Sequence, residues 1–288
     1  MSQSIDFFKK IKKIEIKTKH LVDGIVTGNY DSVFKGQGIE FSEIRDYRIG
    51  DDVRAIDWKV TARFNHPYIK EFIEERDLHA YFVIDVSGSG NFGSNVSKKE
   101  KSLEILASLM FAALQNNDGM GVFLVAEGIE KFIPAKKGRR HVLHLLNVVL
   151  NYEPKSLRTN LQKSLEFVSK TIKRKSIVFI VSDFSDETNF FKPLKILRRK
   201  HDVIALKIID PREQQMPDIG LIELEDQETG EQILVDTSDV QFRESYFRLI
   251  STKNSQFFLD MKRHKVDAVS LSTEEDFAVP IRKLFKKR

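Results

Sequence analysis

Residues 82–94 read FVIDVSGSGNFGS, and the architecture of the chain turns on how this stretch is parsed. The run YFVIDV (81–86) is short and apolar, the pattern of a strand buried on both faces. The loop after it can be parsed in two ways. From Gly88, GSGNFG matches the dinucleotide fingerprint G-x-G-x-x-G. That parsing needs the glycine turn to open straight into a helix whose N–H groups hold a pyrophosphate. The helix signal begins only at Ser97, where SKKE (97–100) has the form of a capping box. The acid expected about twenty residues beyond the glycines comes later, at Glu127, 34 residues past Gly93. Neither spacing is fatal to the fingerprint, but both lean against it.

From Asp85 the same loop reads D-V-S-G-S. Asp85 stands near the carboxyl end of the strand, and Ser87 and Ser89 follow, with Gly88 allowing a tight bend. All three can aim oxygens at one point above a sheet, as a hard cation such as Mg²⁺ requires. Two further oxygens fall on later loops. Asp183 follows the apolar run SIVFIV (176–181), and Thr159 precedes a helix starting near Leu161.

The rest of the chain frames these loops. Apolar strand-like runs at 121–126, 176–184, 202–209 and 266–272 alternate with helix-like segments at 101–115, 139–150, 161–172, 191–200 and 239–263, and a last helix falls within 273–285. Two hairpins are expected, one from 128–135 pairing with its neighbour and one turning at Thr229-Gly230. Such alternation predicts an α/β fold with a mainly parallel, Rossmann-like sheet flanked by helices, and ligands at the carboxyl ends of its strands. Residues 81–288 are assigned to this domain. Residues 1–80 are read as a basic N-terminal segment, a short helix or loose end over 1–20, and a β-rich lead-in with strand-like pieces GIEFSEI (38–44) and YIKEFI (68–73).

Composition narrows the function classes. The 288 residues contain no cysteine, which excludes disulfides, thiolate zinc sites and a cysteine nucleophile. The longest apolar run, ILASLMFAAL (105–114), is half the length of a membrane span, and the start has no apolar core of signal-peptide length. A cytoplasmic location is therefore expected, with peripheral attachment to an anionic membrane surface left open. The net charge of +5 comes from the ends: the first twenty residues carry +4 and RKLFKKR (282–288) holds five cations and no acid. The body between them is slightly acidic, so no specific nucleic-acid face is expected, and binding through the basic termini is retained only as an alternative.

With these residues in view, the chain resembles a known family. D-V-S-G-S with Thr159 and Asp183 resembles the metal-ion-dependent adhesion site of von Willebrand factor A domains. The lead-in FKGQGIEFSEIRDYRIGDDVRAIDWKVTAR (34–63), then KEFIEERDLHAYFVIDVSGS, GRRHVLHLL, LIELEDQETGEQILVDTSD and LSTEED, resembles the bacterial family catalogued as domain of unknown function 58. The resemblance implies a von Willebrand factor A-like fold. It also implies a non-enzymatic adaptor role beside a MoxR-type AAA+ ATPase, in a chaperone-like system that assembles or activates a client protein complex. The expected cofactor is Mg²⁺, with Mn²⁺ or Ca²⁺ as substitutes, held by Asp85, Ser87, Ser89, Thr159 and Asp183. The chain departs from the family pattern at Gly90, where a methionine is frequent, and at Asn160, where an aspartate is.

Other constellations weigh less. His141 and His144 have a spacing that can share zinc, but no third ligand accompanies them, so a packing or surface pair is expected. Asp51, Asp52 and Asp57 with Arg45, Arg48, Arg54 and Arg63 read as a salt-bridged network, and Trp58, the single tryptophan, either as a core residue, the commoner place for a lone Trp, or as a partner anchor on that network. A metal-dependent hydrolase using Asp85 and Asp183 is the enzymatic alternative. It would need a general base nearby, and no histidine lies in the loops that carry these residues.

Overall fold

The computed structural model describes residues 11–12, 39–64, 66–74, 78–93, 96–186 and 188–288. Nearly all of the expected N-terminal helix lies outside the described residues, as does the lead-in before residue 39. The chain divides into two compact units, Asp31–Leu78 and the remainder.

In the smaller unit, β1 (Ile39–Asp46) pairs antiparallel with β2 (Tyr68–Glu74), matching the two strand-like pieces. Between them lies a helix that the sequence reading missed, α1 (Trp58–Phe64). Asp57 starts it by accepting the Lys59 amide at 3.0 Å. Asp51 accepts both guanidinium nitrogens of Arg45, at 2.8 and 3.0 Å, and the Arg48 amide at 2.8 Å, so part of the expected charge network is present. Trp58 is 69% exposed and so is not a core residue.

The larger unit is built on β3 (His79–Asp85), α2 (Lys98–Gln115), β4 (Gly119–Val125), β5 (Ile129–Lys136), α3 (Arg139–Asn151), α4 (Leu161–Thr171), β6 (Ile177–Ser182), α5 (Phe191–Lys200) and β7 (Asp202–Ile209). It continues through the single turn α6 (Pro211–Gln214), the hairpin β8 (Leu221–Glu225) and β9 (Gln232–Asp236), α7 (Val240–Arg263), β10 (Asp267–Ser272) and α8 (Ala278–Lys286). Six strands form one sheet in the order β10-β7-β6-β3-β4-β5, parallel except for β5, which turns back along β4. Numbered by appearance in this sheet, the order is 3-2-1-4-5-6 read from the β5 edge, a doubly wound Rossmann-like arrangement with one antiparallel edge. This is the mainly parallel, Rossmann-like α/β fold that the alternation of strands and helices predicts, and it agrees with the von Willebrand factor A-like fold that the resemblance implies.

The central strands read as continuous apolar runs because both faces are covered; every residue of β4 and β6 is buried. On one face, Val83, Phe123, Ile180 and Ala205 meet Leu161, Leu165 and Val168 of α4, Leu194 and Leu197 of α5, and Phe257 and Met261 of α7. Alternate residues point the other way. There Phe82 stacks on its register partner Phe179, centroids 5.2 Å apart. The first strand, β3, has its sequence successor β4 on one side and β6 on the other. Strand order therefore reverses at β3/β6, and Asp85 and Ser182 are the last residues of those two strands.

Candidate cation site at the switch point

Asp85 ends β3 and meets neutral donors: Oδ1 accepts the Ser87 amide at 3.0 Å and Oδ2 the Ser182 hydroxyl at 2.7 Å, and the Ser87 hydroxyl also bonds to the carboxylate. Burial, and then the charge of Asp183, push its carboxyl up to about 6 against the partial relief of those hydrogen bonds. The loop beyond turns through one 3₁₀ turn, Gly88–Asn91. Ser87 is 4% exposed, and its Oγ lies 3.2 Å from Ser89 Oγ. Helix α2 starts only at Lys98, with Ser97 accepting the Glu100 amide at 3.1 Å, so GSGNFG does not open into a helix. The geometry that the dinucleotide fingerprint requires is therefore missing at this loop.

Asp183 follows β6 and is held by charge. Lys98 donates to its Oδ2 at 2.8 Å, and the Ser185 amide to its Oδ1 at 3.1 Å. Burial pushes its carboxyl up, but Lys98 with the hydrogen bonds from Ser185 and Ser89 outweighs it, and the carboxyl ends below its ordinary value. The Ser89 hydroxyl therefore joins both carboxylate loops. Lys98 is 3% exposed and also pairs with Glu213 of α6. A lysine in a first helical turn opposes the helix dipole, so its place is explained by these two acids. Burial pulls its ammonium down, yet the acids outweigh it and the net direction is up. Burial raises Glu213 and lowers Lys207, whose Nζ sits 4.6 Å over the Phe257 ring.

The third loop is tied in through the backbone. The Gly88 amide donates to Leu157 O and the Asn160 amide to Ala126 O, both at 2.9 Å, placing Thr159 beside the serine loop. The Thr159 hydroxyl donates to Glu228 Oε1 at 2.7 Å. Asn160 caps α4 by accepting the Lys163 amide at 2.9 Å, a role asparagine fills as well as the aspartate frequent there. At Gly90 an added Cβ would meet only Lys99 Cβ at 4.0 Å, so space does not require glycine.

Asp85, Ser87, Ser89 and Asp183 thus converge by direct contact or charge, with Thr159 on an adjoining loop. The set fits a hard divalent cation. Asp85 is a half-buried carboxylate, raised by desolvation and then by the charge of Asp183 and met only by neutral donors, the state a cation would relieve. The Ser87–Ser89 spacing is close to the edge of an octahedron whose ligands lie at about 2.1 Å. Among the described residues no three His, Cys, Asp or Glu cluster as a metal site, so hydroxyls would have to supply part of the shell. A cleft of about 640 Å³ opens beside Asp183, lined also by Lys207, Glu213, Tyr246 and Phe257.

Sequence reasoning missed Lys98, Glu213 and Glu228. Lys98 was absorbed into a capping signal and Glu228 into a hairpin turn, while Ser182 was visible beside Asp183. The histidine pair takes its bland role: His141 Nε2 lies 2.9 Å from Met120 O, and no third ligand stands with the pair among the described residues.

Comparison with known proteins agrees with this fold. A family model described as "Protein of unknown function DUF58" matches residues 43–256. The uncharacterised protein Rv1480 of Mycobacterium tuberculosis is 28% identical over 276 residues, covering 94% of this chain and 86% of that protein. The uncharacterised protein YeaD of Bacillus subtilis is 29% identical over 133 residues, 46% of this chain and 31% of YeaD. Among solved structures, an aerotolerance-related membrane protein of Bacteroides fragilis aligns with a TM-score of 0.50 at 12% identity, covering 73% of this chain and 97% of that one. In this chain, no described helix is long and apolar enough to cross a membrane.

Proposed function

This chain belongs to the DUF58 family, and on that premise we propose that it is a non-enzymatic, cation-dependent protein-interaction module. The observation that carries the reading is the meeting of Asp85, Ser87, Ser89 and Asp183 at the strand-order switch. Mg²⁺ would be held there by Asp85, Ser87, Ser89, Thr159 and Asp183, some through water, and would supply unneutralised positive charge at an open position. A partner's Asp or Glu completes the shell in a charge-assisted contact, and its neighbouring side chains rest in the cleft beside Asp183. The protein's own part is to hold the hydroxyls, to keep Asp183 ionised through Lys98, and to exclude water at Asp85.

The family resemblance supports the identity of the partner: a MoxR-type AAA+ ATPase, with this chain as adaptor toward a client complex in the cytoplasm. The test is co-purification from native lysate with Mg²⁺ or with EDTA, using wild type, Asp85→Ala and Ser89→Ala. Recovery of an AAA+ ATPase with Mg²⁺, lost in EDTA and in both variants, is the expected result. An identical set of partners in all samples would overturn the metal-gated contact.

A further inference from the structure

Helices α4 and α5 leave between them a groove of about 500 Å³. Lys170 and Lys173 line it from the end of α4 and the turn after it, and Lys192 and Lys200 from α5; Glu166 is the one acid in its described lining. All four lysines are exposed. They belong to the segments KTIKRK (170–175) and KPLKILRRK (192–200), which hold four and five cations and no acid. The body of the chain is slightly acidic as a whole, yet it carries one strongly basic face. Between the lysines the groove is apolar: Pro193 is buried, and Ile196 beside it is 43% exposed. Lysine heads on long stems beside an apolar floor suit carboxylates that flank apolar side chains. A nucleic acid fits less well, because the described lining holds no aromatic ring for a base to stack on and no arginine to fork a phosphate.

The hairpin β8–β9 carries the reciprocal surface. Residues 221–236 hold six acids and no Lys or Arg. Directly opposite residues of an antiparallel pair point the same way. One face therefore holds the register pairs Leu221 with Asp236, Glu223 with Leu234, and Glu225 with Gln232. All six are exposed, Leu221 by 64% and Leu234 by 69%. On the opposite face the pair Val235 and Ile222 is buried and half-buried, so the hairpin turns its acids and leucines outward. It is held at both ends. At the base, buried Thr237 donates its hydroxyl to Gly220 O at 2.6 Å. At the tip, Glu228 accepts the hydroxyl and the amide of Thr159, at 2.7 and 3.0 Å. So fastened, the hairpin keeps its outward face in solvent within its own chain.

We propose that the outward face of this hairpin docks in the lysine groove of a second copy of the chain. Leu221 and Leu234 rest on Pro193 and Ile196, while Glu223, Glu225 and Asp236 meet the four lysines. The contact joins two different surfaces, so every pair keeps one groove and one hairpin open. Copies then add head to tail, closing as a ring or growing as an open chain. A hairpin of two five-residue strands covers less than the ~800 Å² per partner of a standard interface, so association in the micromolar range is expected. Exposed charges carry much of it, and salt weakens it. None of these side chains is among the proposed cation ligands, so the contact forms equally in EDTA.

The test is sedimentation velocity of the full chain in EDTA, from about 5 to about 500 μM. Wild type is compared with a groove variant, Lys173→Glu/Lys200→Glu, and a hairpin variant, Glu223→Lys/Glu225→Lys, all at exposed positions. Wild type is expected to sediment faster as its concentration rises, and less so at about 0.5 M NaCl. Each variant alone is expected to associate at least about tenfold more weakly. Their equimolar mixture is expected to form dimers and nothing larger, because one intact hairpin meets one intact groove and growth ends there. Wild type that stays monomeric at every concentration would overturn the proposal, as would variants that associate like wild type. A mixture that stays monomeric where wild type associates would also overturn it, because hairpin and groove would then not be each other's partners. Circular dichroism equal to wild type shows that each variant is folded. The neutral forms Lys173→Gln/Lys200→Gln and Glu223→Gln/Glu225→Gln repeat the comparison without reversed charges.

Discussion

Asp85 is the residue on which stability and function pull apart. Its half-buried carboxyl, pushed up to about 6 by desolvation and by Asp183, must stay charged near neutral pH in the folded chain, whereas it ionises freely when unfolded. Asp85→Asn keeps one acceptor oxygen for the Ser87 amide, turns its amide NH2 toward the Ser182 hydroxyl, and removes the charge. In EDTA at pH 8 the variant is expected to be more stable than wild type by about 1–3 kcal/mol in urea unfolding. It is also expected to lose any stabilisation by Mg²⁺; a variant less stable than wild type in EDTA would refute this role of Asp85. In the smaller unit the sign reverses. The hydrogen bond from Arg45, then the Arg48 amide, lower Asp51 from 3.8 to about 2. A depressed carboxyl contributes stability that is full above its unfolded value of 3.8 and is lost as pH falls through about 2. Arg45→Met should move the midpoint of Asp51, followed by carboxyl-carbon NMR, upward toward 3.8. An unmoved midpoint would mean that Arg45 does not set it. Asp85 and Asp183 were legible in sequence because each closes an apolar run. Lys98 was not: its partner Asp183 is 85 residues away, and no local period records such a contact.

At the scale of elements, α2 does two jobs at its first turn. Ser97 caps the helix and Lys98 bridges Asp183 and Glu213. The two can be separated. Ser97→Ala is expected to lower stability by about 1 kcal/mol, as loss of one cap does, with Mn²⁺ affinity unchanged. Lys98→Met leaves the nearly buried Asp183 and the partly exposed Glu213 without their cation and is expected to cost about 3 kcal/mol in EDTA. Chemical unfolding of both variants measures the difference, and equal losses would show that Lys98 acts only as a helix residue. The buried strands and amphipathic helices of the larger unit were readable because burial on one or both faces writes a period into the sequence. Helix α1 was not readable: seven residues, WKVTARF, are too short to show a period, and its start depends on the Asp57 side chain. The hairpin β8–β9 was readable as a hairpin, but its contact with Thr159 was not. Turn chemistry specifies how the chain reverses and leaves open what the turn touches.

Across the whole molecule, topology does what no single motif does. The order β10-β7-β6-β3-β4-β5 sets the ends of β3 and β6 side by side, so residues from 85 to 183 in sequence meet above one sheet. Thr159 arrives by backbone bonds from a third loop and Glu228 from an inserted hairpin. The glycines of GSGNFG shape this loop: Gly88 admits the hairpin tip, and Gly93, at φ +146°, lets the chain pass close to Val96 and to Ser97, the cap of α2. The central claim is that this convergence binds a divalent cation. Its most direct measurement is a titration of the full chain with Mn²⁺ by electron paramagnetic resonance, comparing wild type with Asp85→Ala and Ser89→Ala. One saturable site is expected in wild type, displaced by Mg²⁺ and lost or severely weakened in both variants. Equal Mn²⁺ binding in all three proteins, or none in wild type, would contradict it.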